Sequence, residues 1–224
     1  MPTSLTSLVP MGDQAALAYF ADELAALRFA AAVRGAAPGW LVDVVQAYTS
    51  VAVFFDLDQT EFTAVRPTLE RIAAEPAPAG EGLPSRLHHI PCCYELGLDL
   101  ERVAQHIGRS VPEVIALHTG KEYTVYAIGF CPGFPYLGYL PAELCGTPRL
   151  PTPRVKVEPG SVGLTGRQTG IYTEARPGGW NLVGRTPLEL VHFADGYFPL
   201  RTGDRIRFER IDEGEFNRLQ GHRL

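Results

Sequence analysis

The first ninety residues alternate short apolar runs with longer stretches rich in Ala, Leu, Glu and Arg. The short runs contain many β-branched and aromatic residues, which predicts strands. Strands are predicted over 14–20, 41–48, 51–56 and 86–94, and helices over 22–34 and 59–74. Asp22 predicts the start of the first helix and Gly35 its stop, whereas Pro67 argues for a break or a late start in the second. This β-α-β-β-α-β order is that of the split βαβ motif of ferredoxin-like domains.

The pattern changes in the second half of the chain. Residues 75–85 form a loop by composition, and two short helices are predicted over 99–107 and 110–118. From Glu122 to Phe208, short apolar runs alternate with Gly and Pro turns, which is typical of a β-barrel or sandwich. We therefore predict an α+β protein with an α/β domain over 1–95, followed over 96–224 by a helical connector and a β-rich domain.

Composition and charge argue against several functional classes. The chain has 224 residues, a net charge of -5 and a pI of about 5.7, which argues against a general binder of nucleic acid or anionic membranes. The sequence shows no signal peptide and no apolar run long enough to span a bilayer. Two of the four cysteines are adjacent and none has CxxC spacing, so reduced thiols in a cytoplasmic protein are expected.

Three motifs suggest other chemistry but lack what that chemistry requires. Residues 99–118 resemble a helix-turn-helix, yet the second helix offers no arginine or lysine to DNA, which favours a simple packed pair. The HHIPCC stretch over 88–93 would place only two metal-binding side chains on each face of a strand, so no metal site is expected. Cys131 has no base placed near it by the sequence, which favours a structural thiol.

The segment over 129–141, GFCPGFPYLGYLP, holds three glycines, three prolines and four aromatic rings. Pro132 and Gly133 predict a rigid, curved backbone with exposed N–H groups, which suits a carboxylate or an oxyanion. Its four rings would wall a groove or contact a partner; they are Phe130, Phe134, Tyr136 and Tyr139. The alternative is an aromatic mini-core below a loop.

The basic window between Arg149 and Arg185 has a charge of +4, from six basic and two acidic residues, in a chain of net charge -5. Its many glycines allow close backbone approach, and arginine forks suit carboxylate and phosphate. One interpretation is a pocket for a small anion, with Ser161, Gln168 and Thr186 as neutral donors. The other is a barrel with glycine turns and solvated arginines. Our hypothesis is that the aromatic segment faces this window and that together they form the site.

Four stretches together resemble one known family. They are GFCPGFPYLGYLP, PRLPTPRVKVEPGSVGLTGRQTGIY, RPGGWNLVGRTP and RTGDRIRF. They are similar to the family of the B-type subunit of 5-oxoprolinase, also called allophanate hydrolase subunit 1, which includes an inhibitor of a sporulation histidine kinase. The resemblance covers nearly the whole chain. It implies a ferredoxin-like N-terminal domain and a cyclophilin-like C-terminal β-barrel.

The resemblance also implies a function. The chain would be a subunit of an ATP-dependent 5-oxoprolinase, which hydrolyses 5-oxoproline to L-glutamate, and would be inactive alone. Its partners would be a C-type subunit, related to allophanate hydrolase subunit 2, and a third subunit. ATP and Mg²⁺ would be used at the level of the complex, with no metal held tightly by this chain. The alternatives are an inhibitor of a sensor histidine kinase and a carboxyltransferase subunit of the allophanate hydrolase or urea carboxylase type.

Site residues follow from matching these motifs position by position. The expected catalytic residues are His118, which would move a proton near neutral pH, and Arg154 and Gln168. Arg154, Arg185, Gln168 and Ser161 would bind an acyl phosphate or a carboxylate. The expected substrate-binding residues are Phe130, Pro132, Gly133, Phe134, Tyr136, Ser161, Tyr172, Trp180, Arg185 and Thr186.

Overall fold

A computed structural model describes residues 5–75 and 85–224 of the chain. The chain divides into two compact units, one up to Pro84 and one from Ser85 to Leu224. Most of the predicted loop over 75–85 lies outside the described residues. No helix in the described ranges has the length and apolar character needed to cross a membrane.

The first unit is a four-stranded antiparallel sheet with two helices. Its strands are β1 (Leu5–Pro10), β2 (Ala15–Phe20), β3 (Leu41–Ala47) and β4 (Ser50–Phe55), and its helices are α1 (Glu23–Ala36) and α2 (Phe62–Ala74). The strand order is β1-β2-β4-β3. Alternate strand residues and the apolar faces of both helices form one core, in which Phe29, Phe55 and Leu69 are fully buried.

Local signals explain the helix ends in this unit. The Asp22 carboxylate accepts a hydrogen bond from the Ala25 N–H at 2.8 Å, which confirms the predicted cap. Helix α1 does not stop at Gly35, because Ala37 adopts the left-handed cap conformation at φ 39° instead. Helix α2 starts late, at Phe62, and continues through Pro67, which lacks the N–H for one helical bond.

The second unit contains a closed barrel of seven strands. They are β5 (Leu87–Cys93), β6 (Glu122–Ile128), β7 (Pro135–Gly138), β9 (Ser161–Thr165), β10 (Gln168–Ile171), β12 (Asn181–Arg185) and β13 (Arg205–Ile211). The order is β6-β13-β5-β12-β9-β10-β7, and β7 pairs with β6 to close the barrel. The β5–β13 pair is parallel and its neighbours are antiparallel. A separate ribbon joins β8 (Arg154–Val157) to β11 (Arg176–Gly178).

Strand β5 belongs to a different sheet from the one the sequence suggested. The predicted strand over 86–94 exists, but it pairs with β12 and β13 in the barrel instead of completing the N-terminal sheet. The strand beside β2 at the edge of that sheet is β1, which the sequence analysis missed. Alternation of side chains identifies a strand, whereas its pairing partner depends on residues far along the chain.

Three helices accompany the barrel: α3 (Leu100–Ile107), α4 (Val111–Thr119) and α5 (Glu213–Leu219). The predicted pair α3–α4 is confirmed. Helix α4 begins with a capping box, in which the Ser110 N–H donates to the Glu113 carboxylate at 2.8 Å. Both helices bury apolar residues against the barrel core, which includes the fully buried Ile90, Leu137 and Val162.

Candidate functional site

Five aromatic side chains line a cavity of about 310 Å³ in the second unit. We call this cavity the aromatic cup, and its rings belong to Phe130, Phe134, Tyr136, Tyr172 and Trp180. Arg149, Pro153 and the segment from Pro177 to Gly179 complete its lining. All five rings were among the predicted substrate-binding residues. The size and the mainly aromatic lining, with few polar groups, are those of small-molecule sites.

Phe134 is the centre of the cup. Its ring is 1% exposed and meets Tyr136, Tyr172 and Trp180 edge to face, with centroids 4.9, 5.2 and 5.6 Å away. Such edge-to-face contacts fix the orientation of each ring. Phe130, in contrast, is 59% exposed and stands at the mouth, 5.4 Å from Phe134 between centroids. The cup therefore has a rigid floor and one exposed ring at its edge.

Strand pairing brings the aromatic segment to the basic window, as hypothesised. Strand β7 lies antiparallel to β10, with Tyr136 opposite Gly170. A Cβ on Gly170 would lie 2.9 Å from the Phe134 ring, so the glycine allows the ring to approach the strand closely. Tyr139, the fourth ring of the segment, does not line the cup, and the Arg167 guanidinium carbon lies 4.2 Å from its centre. The two segments therefore meet where the sequence analysis placed the site.

The loop before β7 is tightly turned, but its N–H groups are not all free for a ligand. Phe130 has a φ of +68° and Gly133 a φ of +72°. The Cys131 N–H donates to the Gly129 carbonyl at 2.8 Å, and the Phe134 N–H donates to the Cys131 carbonyl at 3.1 Å. The curved backbone is as expected, whereas these two N–H groups satisfy the loop itself and offer no oxyanion site.

Gly178 gives the Tyr172 hydroxyl its space. A Cβ on Gly178 would lie 2.3 Å from that oxygen, which no side chain tolerates without movement. Burial raises the pKa of Tyr172, and the nearby charges of Arg149 and Arg154 oppose this effect. Burial also raises the pKa of Tyr136, again opposed by Arg149. Both phenols are therefore protonated at neutral pH and can donate hydrogen bonds.

Arg154 is held by a carboxylate from outside the basic window. Its Nη2 donates to the Asp99 Oδ1 at 2.7 Å, and the other Asp99 oxygen accepts from the Leu182 N–H at 2.7 Å. The Arg154 Nη1 is buried and lacks a hydrogen-bond partner among the described residues. Arg154 thus sits beside the cup and is oriented by Asp99, which lies at the start of α3.

Arg185 and Thr186 lie in another place. They line a second cavity of about 360 Å³, together with Gly160, Thr173 and Phe216. The Arg185 Nε donates to the Pro159 carbonyl at 3.0 Å, and its guanidinium carbon lies 5.9 Å from the centre of the Phe216 ring. Tyr172 contributes to both cavities. The structure therefore separates these two residues from the aromatic cup.

Four further predicted residues stand outside the cup lining. The Pro132 carbonyl accepts a 2.7 Å hydrogen bond from the Thr173 hydroxyl, and a Cβ on Gly133 would lie 2.3 Å from the Val191 side chain. Ser161 is buried at the start of β9, where its N–H donates to the Glu158 carbonyl at 3.2 Å. Gln168 pairs with Thr165 and Gly138 in the barrel sheet. These residues shape the walls and turns around the site.

His118 is fully buried in the barrel core. The Thr169 hydroxyl donates to the Gly163 carbonyl at 2.9 Å, so it must accept from the His118 Nε2 at 3.1 Å. The His118 Nδ1 then accepts from the Tyr94 hydroxyl at 2.7 Å. Burial lowers the pKa of His118 to about 3, so the imidazole is neutral near pH 7. A proton-transfer role near neutral pH does not fit this position.

Arg149 is the cup residue that the sequence analysis did not single out. It was counted in the basic window, but the motif match selected Arg154 and Arg185 as site residues instead. A signal was present, because the turn sequence Thr147-Pro148-Arg149 keeps this arginine out of a strand. Among the described residues, no group of three or more His, Cys, Asp or Glu side chains could hold a metal ion.

Comparisons with a family model and with known proteins identify the same family. The family model "Carboxyltransferase domain, subdomain C and D" matches residues 6–196. The B-type subunit of 5-oxoprolinase from Bacillus subtilis is 40% identical over 195 residues, which are 80% of this chain and 79% of that protein. The same subunit from Escherichia coli O157:H7 is 50% identical over 133 residues, 58% of this chain and 61% of that protein.

A solved structure has the same fold. The crystal structure of TTHA0988 superposes with a TM-score of 0.77 at 34% identity and covers 89% of this chain. The match spans only 40% of the TTHA0988 chain, which is therefore much longer than the part that it shares with this one. The residues that form the aromatic cup lie within the stretch matched by the family model.

Proposed function

Because this chain belongs to the carboxyltransferase-domain family that includes the B-type subunit of 5-oxoprolinase, we propose that it is part of a 5-oxoprolinase complex. In this proposal the complex hydrolyses 5-oxoproline to L-glutamate with ATP, and the chain is inactive alone. The partners are a C-type subunit and a third subunit. A cytoplasmic location belongs to the same proposal and is supported by the four free cysteines.

The observation that carries the proposal is the aromatic cup. A five-membered lactam ring has two flat apolar faces and a polar edge. The exposed ring of Phe130 and the ring of Trp180 offer apolar surface to such faces, and the half-buried Tyr136 offers a polar hydroxyl. A site of this kind holds a small cyclic amide.

The chain's own residues have limited roles in this proposal. The cup binds and orients the lactam, and the Arg154–Asp99 ion pair stands beside it. ATP, when bound to the complex, supplies the energy for activating an unreactive carbonyl. In this proposal, ATP and Mg²⁺ are used at the level of the complex. His118 takes no part, because it is buried and neutral.

Reconstitution tests the proposal. The chain is mixed with its two candidate partner subunits, and ATP hydrolysis is measured with and without 5-oxoproline. We expect stimulation by 5-oxoproline only when all three subunits are present. Trp180→Ala should lower this stimulation strongly, since the variant removes one apolar wall of the cup.

The control is Val155→Ala, which changes an exposed side chain on β8 that does not line the cup. Complex formation is followed by size-exclusion chromatography for each variant. A full complex that forms but hydrolyses no ATP in response to 5-oxoproline would refute the proposed substrate. Activity of the chain alone would refute the need for partners.

A second candidate function is transfer of a carboxyl group, which the description of the matching family model favours. A carboxyltransferase subunit of the urea carboxylase type requires a biotinylated carrier. Urea-dependent activity that disappears when the carrier biotin is blocked with avidin would support this function and would exclude the lactam reaction as the main one. Inhibition of a sensor histidine kinase remains a prediction from the family resemblance.

A further inference from the structure

The six basic side chains of the basic window differ in what surrounds them. Five are engaged by a carboxylate, a carbonyl or an aromatic ring: Arg154 by Asp99, Lys156 by Glu158, Arg167 by Tyr139, Arg176 by Glu174 and Arg185 by the Pro159 carbonyl. For Arg149, the part of the chain that the structure describes supplies no ion pair or hydrogen bond. One cation in this region therefore retains its full capacity for an anion.

The backbone fixes the position of Arg149 on both sides. The Pro148 carbonyl accepts from the Asn181 side-chain amide at 2.9 Å. The Leu150 N–H donates to the Gly179 carbonyl at 2.7 Å. Asn181 is buried and begins β12, so these two contacts tie the segment to the barrel. An arginine on a fixed backbone loses less freedom when it binds a ligand.

The surroundings of Arg149 combine charge with apolar surface. Its side chain lines the cup together with the rings of Phe134 and Trp180. Its charge opposes the effect of burial on the pKa of both Tyr136 and Tyr172, which places it near both phenols. The ligand that fits has an apolar body, a hydrogen-bonding edge and one negative charge. A carboxylate matches the planar fork of a guanidinium with two parallel hydrogen bonds.

We infer that Arg149 is the specificity-determining residue of the cup and binds the carboxylate of a small lactam or amide substrate. The inference rests on the proposed function and deepens it. It replaces the sequence-based assignment of the carboxylate to Arg154, Arg185, Gln168 and Ser161. Arg154 is already paired with Asp99, Arg185 lines the other cavity, and Ser161 is buried by the strand.

Two ligands that differ only in the carboxylate provide the test. 5-Oxoproline carries it, and 2-pyrrolidinone is the same five-membered lactam without it. Binding of each to the chain assembled with its partner subunits is followed by fluorescence of Trp180, which lines the cup. A Trp40→Phe background removes the only other tryptophan of this chain, and titrations of the partner subunits alone provide the baseline.

Removing the charge should affect only the charged ligand. In Arg149→Gln, we expect the affinity for 5-oxoproline to fall about ten- to a hundred-fold, because a charge-assisted hydrogen bond is lost. The affinity for 2-pyrrolidinone should stay the same. Arg149→Lys should recover part of the loss. Lys156→Gln is the matched control, since it removes a positive charge from the same window but does not line the cup.

The outcomes separate this inference from the proposed function. If the parent binds 5-oxoproline and Arg149→Gln binds it equally well, the assignment of Arg149 is wrong while the substrate proposal stands. If both ligands lose affinity equally in Arg149→Gln, the residue stabilises the cup but does not bind the carboxylate, which also overturns the inference. If the parent complex binds neither ligand, the proposed function itself fails.

Discussion

The buried His118 makes a specific prediction about acid stability. Its folded-state pKa is about 3, against about 6.5 for an ordinary histidine. Between these values the unfolded chain binds a proton that the folded chain excludes, so stability rises with pH across this window and is lost as pH falls below about 6.5. Since one pKa unit corresponds to about 1.4 kcal/mol, a fall from pH 7.5 to 4.5, two units below the unfolded pKa, costs roughly 3 kcal/mol.

This loss is large beside the 5–15 kcal/mol that typically separates folded from unfolded states. It follows from the contacts of the ring. An imidazolium would need a second acceptor, but the Nδ1 faces the Tyr94 hydroxyl, which already donates to it at 2.7 Å. The ring also stacks on Phe208 with centroids 4.6 Å apart, so water has no access to a new charge.

The measurement compares urea unfolding of the parent and of His118→Gln at pH 7.5, 6.5, 5.5 and 4.5. Fluorescence of Trp180 in a Trp40→Phe background reports on the second unit. The parent should be more stable at pH 7.5, and its advantage should shrink by roughly 3 kcal/mol by pH 4.5, because other groups cancel in the difference. His106→Gln controls for loss of an exposed imidazole and should follow the parent.

A stability difference that stays constant with pH would refute this reasoning. It would mean that His118 takes up its proton equally well in both states, and proton transfer by this residue would regain support. If His118→Gln does not fold, the parent still decides the matter. The NMR signal of the His118 ring should not move between pH 7.5 and 5, and a titration within this range would contradict the structure.

Two further substitutions test the frame of the cup. Gly178→Ala should lower the free energy of unfolding by about 1–3 kcal/mol and weaken lactam binding, because the new Cβ meets the Tyr172 hydroxyl. Gly179→Ala is the control and should have neither effect, since its Cβ would lie 3.6 Å from the nearest atom. Asp99→Asn should lower the free energy of unfolding, measured in urea, by about 1–3 kcal/mol, since it weakens the partly buried ion pair with Arg154. Glu158→Gln changes a surface ion pair with Lys156 and should alter stability little. Equal effects of the two substitutions would contradict a structural role for Asp99.

Elements whose signals are local were predictable from the sequence. The start of α4 follows from Ser110 and Glu113, which lie within one turn of the helix end that they stabilise. Strand β5 was equally predictable as a strand, because most of its residues are apolar. Its sheet was not, since its partner β13 lies more than a hundred residues further on, with Arg205 opposite Leu87.

Sequence-based prediction of the candidate site was likewise limited to local features. The aromatic segment and the basic window were predicted to meet, and glycines such as Gly170 indicated where backbone and rings approach. The hydrogen-bond partners of individual side chains in these two segments were not predictable. Asp99 stands at a helix start, where capping is the usual role, yet its carboxylate accepts hydrogen bonds from Arg154 and from the Leu182 N–H. A motif of local residues carries no information about these distant partners.

Ion pairs with distant residues also change how the charge of the basic window bears on function. A count of +4 over the window suggests several cations available to an anion, but a ligand interacts only with charges that the protein has not already neutralised. Asp99 lies fifty residues before the window and engages Arg154, while carboxylates within the window engage Lys156 and Arg176. Among the residues that the structure describes, the cup-lining cation without an ion pair or hydrogen bond is Arg149. A site with one free guanidinium and apolar walls selects singly charged, compact ligands over polyanions such as nucleotides. The same reasoning supports binding of a monocarboxylate lactam in this chain and of ATP elsewhere in the complex.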